Sequence, residues 1–322
     1  MARYKQTPKS IWTGRISSQE LYLHEKVQCV AIDALETIAD TQSIALLGYA
    51  CDEGVKRNQG RIGAVEGPAA IKSSLGKFPN HLASTTPFFD VGTIECVAHE
   101  LEKVQEALAE KISLLLSKKL FPIVLGGGHD IAYGHYQGIR NYLGDKKIGI
   151  INFDAHFDLR STENGNTSGT PFYQIAQDCK AQSIAFNYLC LGIRKDANDK
   201  KLFETATSLG VSYIEHNNFN LHHVEHVHLI LMQFLEDVDY VYTTVDLDGF
   251  SSAFAPGVSA ASPMGFSPDI VLESLKTIID SKKLISFDIA EMNPNYDRDQ
   301  QTAKLAASLV HFVMHAINLE NS

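Results

Sequence analysis

Seven short apolar runs, each ending in glycine or a polar group, constrain this chain more than any other feature. They are SIALLGYA (43–50), FPIVLGGG (121–128), KIGIINFDAH (147–156), YLCLGI (188–193), VSYIEH (211–216), YVYTTVDLD (240–248) and LISFDIAEMN (284–293). A strand with one wet face alternates apolar and polar residues, whereas a strand covered on both faces reads as a near-continuous apolar run. Between the runs, helical stretches are expected at 97–119, 130–143, 198–209, 222–237 and 267–281, with 298–319 closing the chain. Ser267-Pro268 ahead of Asp269 and Ile270 reads as a helix start, a capping hydroxyl followed by proline in the first turn. Strands alternating with helices imply an α/β fold, a parallel sheet with helices on both faces. No linker, repeat or low-complexity tract divides the sequence, so 1–322 reads as a single domain, with 1–40 as an N-terminal extension packed on it.

Composition excludes several classes of partner. A net charge of −10 argues against a nucleic-acid backbone or an anionic membrane. No apolar run approaches a membrane span, and the first 21 residues lack the pattern of a signal peptide. Five widely spaced cysteines without a CxxC pair suit free thiols in a reducing compartment, so a cytoplasmic protein acting on a small molecule is expected.

Four short motifs fall at the ends of four of these strands: Gly126-Gly127-Gly128-His129, Asp154-Ala155-His156-Phe157-Asp158, Asp246-Leu247-Asp248, and the run from Asp288 to Pro294. In an open parallel sheet, ligands bind in the crevice beyond the carboxyl ends of the strands, so side chains from separate strands can converge there. Three motifs supply His129, Asp154, His156, Asp158, Asp246 and Asp248. Four carboxylates would neutralise two divalent cations, and a donor set of oxygens and imidazoles without thiolate suits Mn²⁺ better than Zn²⁺. Spacing by two along an extended backbone would point Asp154, His156 and Asp158 to one side, and likewise Asp246 and Asp248. Any one motif alone is often a turn or a helix cap; three at successive strand ends are not.

With these motifs the chain, from about residue 43 to 294, resembles the arginase/agmatinase/formimidoylglutamase family. More specific likenesses are WTGR (12–15), RNQGRIGAVEGP (57–68), GGGHDIAYGHYQGI (126–139), SGTPFYQI (168–175) and APGVSAASPMG (255–265), which point to the formimidoylglutamase branch. The resemblance implies a doubly wound, mostly parallel eight-stranded sheet and two Mn²⁺ per subunit. His129, Asp154, Asp158 and Asp246 would hold one metal, and Asp154, His156, Asp246 and Asp248 the other. It also implies a homo-oligomer that hydrolyses N-formimidoyl-L-glutamate to L-glutamate and formamide in histidine degradation. The alternatives are a guanidine hydrolase of the agmatinase or guanidinobutyrase type, and a non-catalytic metal-binding member. Two departures from arginase favour the first reading. No histidine follows Ser168-Gly169, and Lys195-Asp196-Ala197 after Arg194 lacks the aspartate pair that would meet a free α-ammonium. Many members carry Asp at the position of Gly128, so the surroundings of His129 are expected to differ here.

The chemistry assigns further roles. Water between two metals becomes hydroxide near neutral pH. Asp158 is the candidate to carry a proton to the departing nitrogen, and Glu291 to hold the cationic amidinium. Substrate carboxylates need cations, for which Arg160 is first choice, with Arg61 and Asn58 behind it. The cluster His216, His222, His223, His226 and His228 reads as a solvated helix face, and the GGGHD glycines do not form a dinucleotide fingerprint.

Overall fold

Every one of the seven apolar runs is a strand in the computed structural model, which describes residues 2–17, 19–37 and 43–317. The strands are β1 (Ala2–Lys5), β2 (Gln28–Cys29), β3 (Ser43–Ala50), β4 (Phe88–Cys96), β5 (Leu120–Leu125), β6 (Ile148–Phe153), β7 (Asn187–Ile193), β8 (Ser212–Glu215), β9 (Tyr240–Asp246) and β10 (Leu284–Ala290). They join in the order β1-β4-β3-β5-β10-β9-β6-β7-β8, with β2 also on β4. From β4 to β8 all eight strands are parallel. The expected eight-stranded parallel sheet is therefore present, and the N-terminal residues add two strands: β1, the antiparallel edge, and the two-residue β2. Those two are too short, and β1 too polar, to stand out as apolar runs.

The helices expected from periodicity lie at Leu101–Ser117, Ile131–Leu143, Lys200–Ser208, Val224–Glu236, Pro268–Asp280 and Gln301–Ala316. The expected end of the last, at 318–319, is outside the described residues. Further helices at Glu53–Arg57, Gly67–Leu75 and Pro171–Ala181 fill connections that the sequence leaves open. Pro268 does open its helix, but the Ser267 hydroxyl bonds to the Asp269 carboxylate instead of capping the backbone. Alternation in the buried strands splits the core in two. Ile44 and Leu46 of β3 join the layer under Gly67–Leu75, Pro268–Asp280 and Gln301–Ala316. Ala45, Leu47 and Tyr49 join the layer under Leu101–Ser117 and Ile131–Leu143. Among the described residues no helix is long and apolar enough to cross a membrane.

Strand β4 escapes the sequence reading because Asp90 and Gly92 interrupt it. Gly92 has φ +95°, and a side chain there would meet the Tyr4 ring at 2.6 Å. Asp90 is fully buried but not alone: Lys72 Nζ and Thr7 Oγ1 donate to its Oδ1 at 2.8 and 2.9 Å, and Trp12 Nε1 to its Oδ2 at 2.8 Å. One carboxylate thus ties the N-terminal segment to the sheet. Removing one partner of a buried ion pair strands the other charge, so Lys72→Met should cost about 3–5 kcal/mol of stability. Lys72→Met with Asp90→Asn should recover much of that loss, as read by denaturant midpoints of the three proteins.

Candidate metal centre

The four motif-bearing strands are neighbours in the order β5-β10-β9-β6, although their motifs are scattered from residue 126 to residue 294. Their carboxyl ends meet, and there the side chains converge. His129, Asp154, Asp158 and Asp246 each place a ligand atom within 4.8 Å of the others, and Asp154, His156 and Asp248 do the same. Asp154 belongs to both groups; its Oδ2 lies 3.2 Å from His129 Nδ1 and its Oδ1 3.3 Å from His156 Nδ1. Asp246 approaches His129 Nδ1 at 3.1 Å, while its other oxygen accepts the Asp248 amide at 2.8 Å. Asp158 reaches the same nitrogen at 2.9 Å, and Asp248 reaches His156 Nδ1 at 3.2 Å.

The convergence does not arise from strand alternation, as the spacing suggested. Strand β6 stops at Phe153; residues 154–158 bend, and Asp158 takes a left-handed backbone (φ +49°). Buried Asn198 fixes this bend, accepting from the Phe157 amide at 3.0 Å and donating to Ala155 O at 2.8 Å. Strand β9 likewise stops at Asp246, and a 3₁₀ turn over Leu247–Gly249 brings Asp248 back. Short chain reversals are what let polar residues next to one another in sequence share one point, and such turns carry no strong sequence signal here.

The donor set fits cations. His129 Nε2 is occupied, 3.1 Å from Thr244 Oγ1, so Nδ1 is left as the free position, aimed at three carboxylates and with no hydrogen-bond partner among the described residues. A lone pair facing anions is repulsive unless a cation or a proton sits between them. Burial alone would lower the His129 imidazole, but Asp154, Asp158 and Asp246 outweigh it and raise its pKa well above the ordinary value. His156 behaves alike through Asp248 and Asp154. Burial, then repulsion from Asp248 and Asp154, pushes Asp246 well up. A buried carboxylate group of this kind is stable when metal ions balance it.

Glu291 stands beside the cluster on a left-handed backbone (φ +67°). Its Oε1 accepts the His129 amide at 2.9 Å, while the buried Oε2 has no partner among the described residues. Burial, then the charge of Asp248, raises its carboxyl to about 8. At Gly128 a side chain would meet Val55 Cγ2 at 2.6 Å and Asp130 Oδ1 at 2.7 Å. The carboxylate beside this loop is therefore that of Asp130, which accepts from Tyr49 at 2.6 Å.

A cavity of about 350 Å³ opens on the cluster; His129, His156, Asp158, Asp246, Asp248 and Glu291 form its floor. Arg160, Asn58 and Arg61 all stand on its wall. Arg160 is exposed and, among the described residues, makes no ion pair; its side chain passes close to Gly169 beside Asn58. Arg61 is committed elsewhere, donating to Ser259 O and Val258 O at 2.8 and 2.7 Å and lying over the Tyr296 ring. Ser168, which opens the SGTPFYQI stretch but was given no role, and Asn198, which no motif includes, also line the cavity. Arg194 turns to Asp196 at 2.7 Å. The histidines at 222, 223, 226 and 228 are exposed on and before the helix Val224–Glu236, with His216 half-buried, and among the described residues they form no ligand group.

The family model described as "Arginase family" matches residues 42–316. The chain is 43% identical over 319 residues to a formimidoylglutamase of Geobacillus sp. (strain WCH70), covering 96% of this chain and 97% of that one. Its fold matches the crystal structure of formimidoylglutamase from Bacillus subtilis (TM-score 0.83, 23% identity, 96% of each chain). It also matches a Trypanosoma cruzi formiminoglutamase structure with Mn²⁺ (TM-score 0.75, 23% identity, 89% of this chain and 98% of that one). With the parallel sheet and the carboxylate–imidazole cluster at the carboxyl ends of its strands, these likenesses establish that the chain belongs to the arginase family.

Proposed function

We propose that the chain hydrolyses N-formimidoyl-L-glutamate to L-glutamate and formamide, with two Mn²⁺ in the cluster at the carboxyl ends of β5, β6, β9 and β10. The observation that carries the substrate assignment is Arg160, an exposed guanidinium without an ion pair among the described residues, on the wall of the same cavity. The Geobacillus relative, alike over nearly its whole length, carries the corresponding name.

His129, Asp154, Asp158 and Asp246 would hold one metal, and Asp154, His156 and Asp248 the other, with Asp246 beside both. The metals would supply the Lewis acidity that makes water a competent nucleophile near neutral pH. Glu291 Oε2, buried and unpartnered, is placed to hold the amidinium by a charge-assisted hydrogen bond. That orients the amidine carbon over the cluster. Expulsion of glutamate requires a proton on its nitrogen. Asp158, with the most exposed side chain of the four aspartates at 13%, keeps an edge on the cavity and is the group to deliver it. Arg160 takes a substrate carboxylate, with Asn58 as a neutral partner. The absence of a second aspartate beside Asp196 suits a substrate whose α-nitrogen bears the formimidoyl group. We further read the chain as one catalytic domain that works in the cytoplasm on a small molecule and assembles as a homo-oligomer.

Formamide release from formimidoylglutamate, with no urea from agmatine or guanidinobutyrate, would support the reading; urea release in its place would favour the guanidine hydrolase. A charge-assisted bond contributes about 1.5–3 kcal/mol, so Arg160→Ala should raise KM roughly ten- to hundredfold with both metals retained. Arg160→Lys should recover only part, because an ammonium cannot form the bidentate fork. Unchanged kinetics in Arg160→Ala would move the carboxylate site away from this wall.

A further inference from the structure

A second cavity, of about 500 Å³, adjoins the one over the metal cluster, and Asn58, Arg160 and Leu202 line both. Among the described residues its charged lining is Arg57, Arg160 and Lys201 against Glu163 and Asp199. Two of these are committed within the protein. Arg57 pairs with Glu53 at 3.2 Å and with Glu102 at 2.8 Å. Asp199 caps the helix Lys200–Ser208, its Oδ1 accepting the Leu202 amide at 3.2 Å. Lys201 is exposed and, among the described residues, makes no ion pair, whereas its neighbour Lys200 pairs with Glu204 along the helix at 3.4 Å. Glu163, on the 3₁₀ turn Thr162–Asn164, is likewise exposed without an ion pair among the described residues.

The place of Lys201 is tied to the metal centre. Asn198, which holds the bend of residues 154–158, also donates to Arg194 O at 2.8 Å, and the helix begins two residues after it. Lys201 therefore follows an anchored turn, and Leu202 next to it is buried between the two cavities. The substrate read above carries two carboxylates three carbons apart. One sits beside the nitrogen that bears the amidine, so it arrives close to the metals, where Arg160 stands. A guanidinium fork is filled by one carboxylate. The other carboxylate, at the end of a flexible arm, needs a cation of its own, and Arg61 is spent on two backbone carbonyls. Past Arg160, the adjoining chamber offers the free ammonium of Lys201.

We propose that the adjoining chamber is a subsite for the carboxylate remote from the amidine, with Lys201 as its cation, while Arg160, on the wall of both cavities, holds the carboxylate beside the amidine. The proposal rests on the dicarboxylate substrate assigned above. Specificity follows from the pairing: a substrate with one carboxylate leaves Lys201 unused, and one with none leaves both cations unused. Glu163 repels the same charge, so the pull of the chamber is the balance between Lys201 and Glu163.

The test is steady-state kinetics of the Mn²⁺-loaded enzyme with two substrates, N-formimidoyl-L-glutamate and N-formimidoyl-L-norvaline, in which a methyl group replaces the remote carboxylate. Lys201→Met should raise KM for the dicarboxylate roughly three- to tenfold, with kcat close to the parent value. The effect is smaller than for Arg160→Ala because water and salt screen an exposed ammonium. With the norvaline substrate the same variant should match the parent. Lys201→Glu should raise KM for the dicarboxylate further, although an acidic residue suits the first turn of a helix, which separates lost binding from lost folding. Glu163→Gln should lower KM for the dicarboxylate alone. A parent-like KM for the dicarboxylate in both Lys201 variants, or an equal rise with the two substrates, would overturn the proposal. The parent enzyme separates the two levels of the argument: if it releases no formamide from formimidoylglutamate, the substrate reading fails and the subsite with it. If it does release formamide and the Lys201 variants match it, only the subsite fails.

Discussion

Asp154→Ala is expected to yield a folded protein that holds neither metal and turns over substrate several orders of magnitude more slowly. Among the described residues Asp154 alone belongs to both ligand groups, with one oxygen toward each imidazole. Burial would raise its carboxyl, but the two histidines outweigh that and hold it below the usual carboxylate range, so it is the anion on which both sites close. The loss of Lewis acidity leaves water as a poor nucleophile against an amidine. The fold should survive, because the residue lies past the end of β6 and belongs to neither apolar layer. Elemental analysis and circular dichroism check the two halves of this expectation. A variant that retained two metals and turned over normally would show that Asp154 does not join the sites.

Chelation should abolish activity just as completely, and Mn²⁺ should restore it better than Zn²⁺, since four carboxylates and two imidazoles without a thiolate form a hard donor set. The affinity should rise with pH. His129 and His156 are raised by their carboxylate neighbours, and Asp246 by burial and its neighbours, so the metal-free cluster retains protons that a metal must displace. Raising the pH removes that competition, and binding releases protons. The metal should also stabilise the fold by mass action, about 2.7 kcal/mol per site at a hundredfold excess over Kd. Calorimetric titration in buffers of different ionisation enthalpy, with thermal midpoints at rising Mn²⁺, reads both effects. Affinity that is flat or falls with pH would contradict the ligand set.

What could be read in the sequence was what the chemistry requires by residue type. Asp154, His156, Asp158, Asp246 and Asp248 announce themselves because carboxylates and imidazoles have little reason to crowd the ends of buried strands. How they meet could not be read, because the bend held by Asn198 and the 3₁₀ turn after Asp246 depend on contacts with residues remote in sequence. Strand β4 is hidden because a charged Asp90 reads as loop until Lys72 is found beside it. Thr244 reads as an ordinary β-former in a central strand, and only the third dimension shows its hydroxyl against His129 Nε2. Arg61, ranked below Arg160 as a carboxylate holder, is drawn off by two carbonyls that the sequence does not place near it.

The strand order also bears on how the chain is made. The last strand, β10, lies between β5 and β9, in the middle of the sheet. As the ribosome delivers the polypeptide, β4-β3-β5 and β9-β6-β7-β8 can each pair, but they remain two separate pieces with β5 and β9 as bare inner edges. Such edges are templates for pairing with other chains. His129 sits on one piece, and the aspartates on the other. Only when residues 284–290 emerge and slot into the gap can the pieces lock together. Closure of the sheet and completion of the four-ligand group around His129 are thereby drawn toward a single moment, and a nascent chain stalled before β10 would hold only the Asp154, His156 and Asp248 group and would be prone to aggregate.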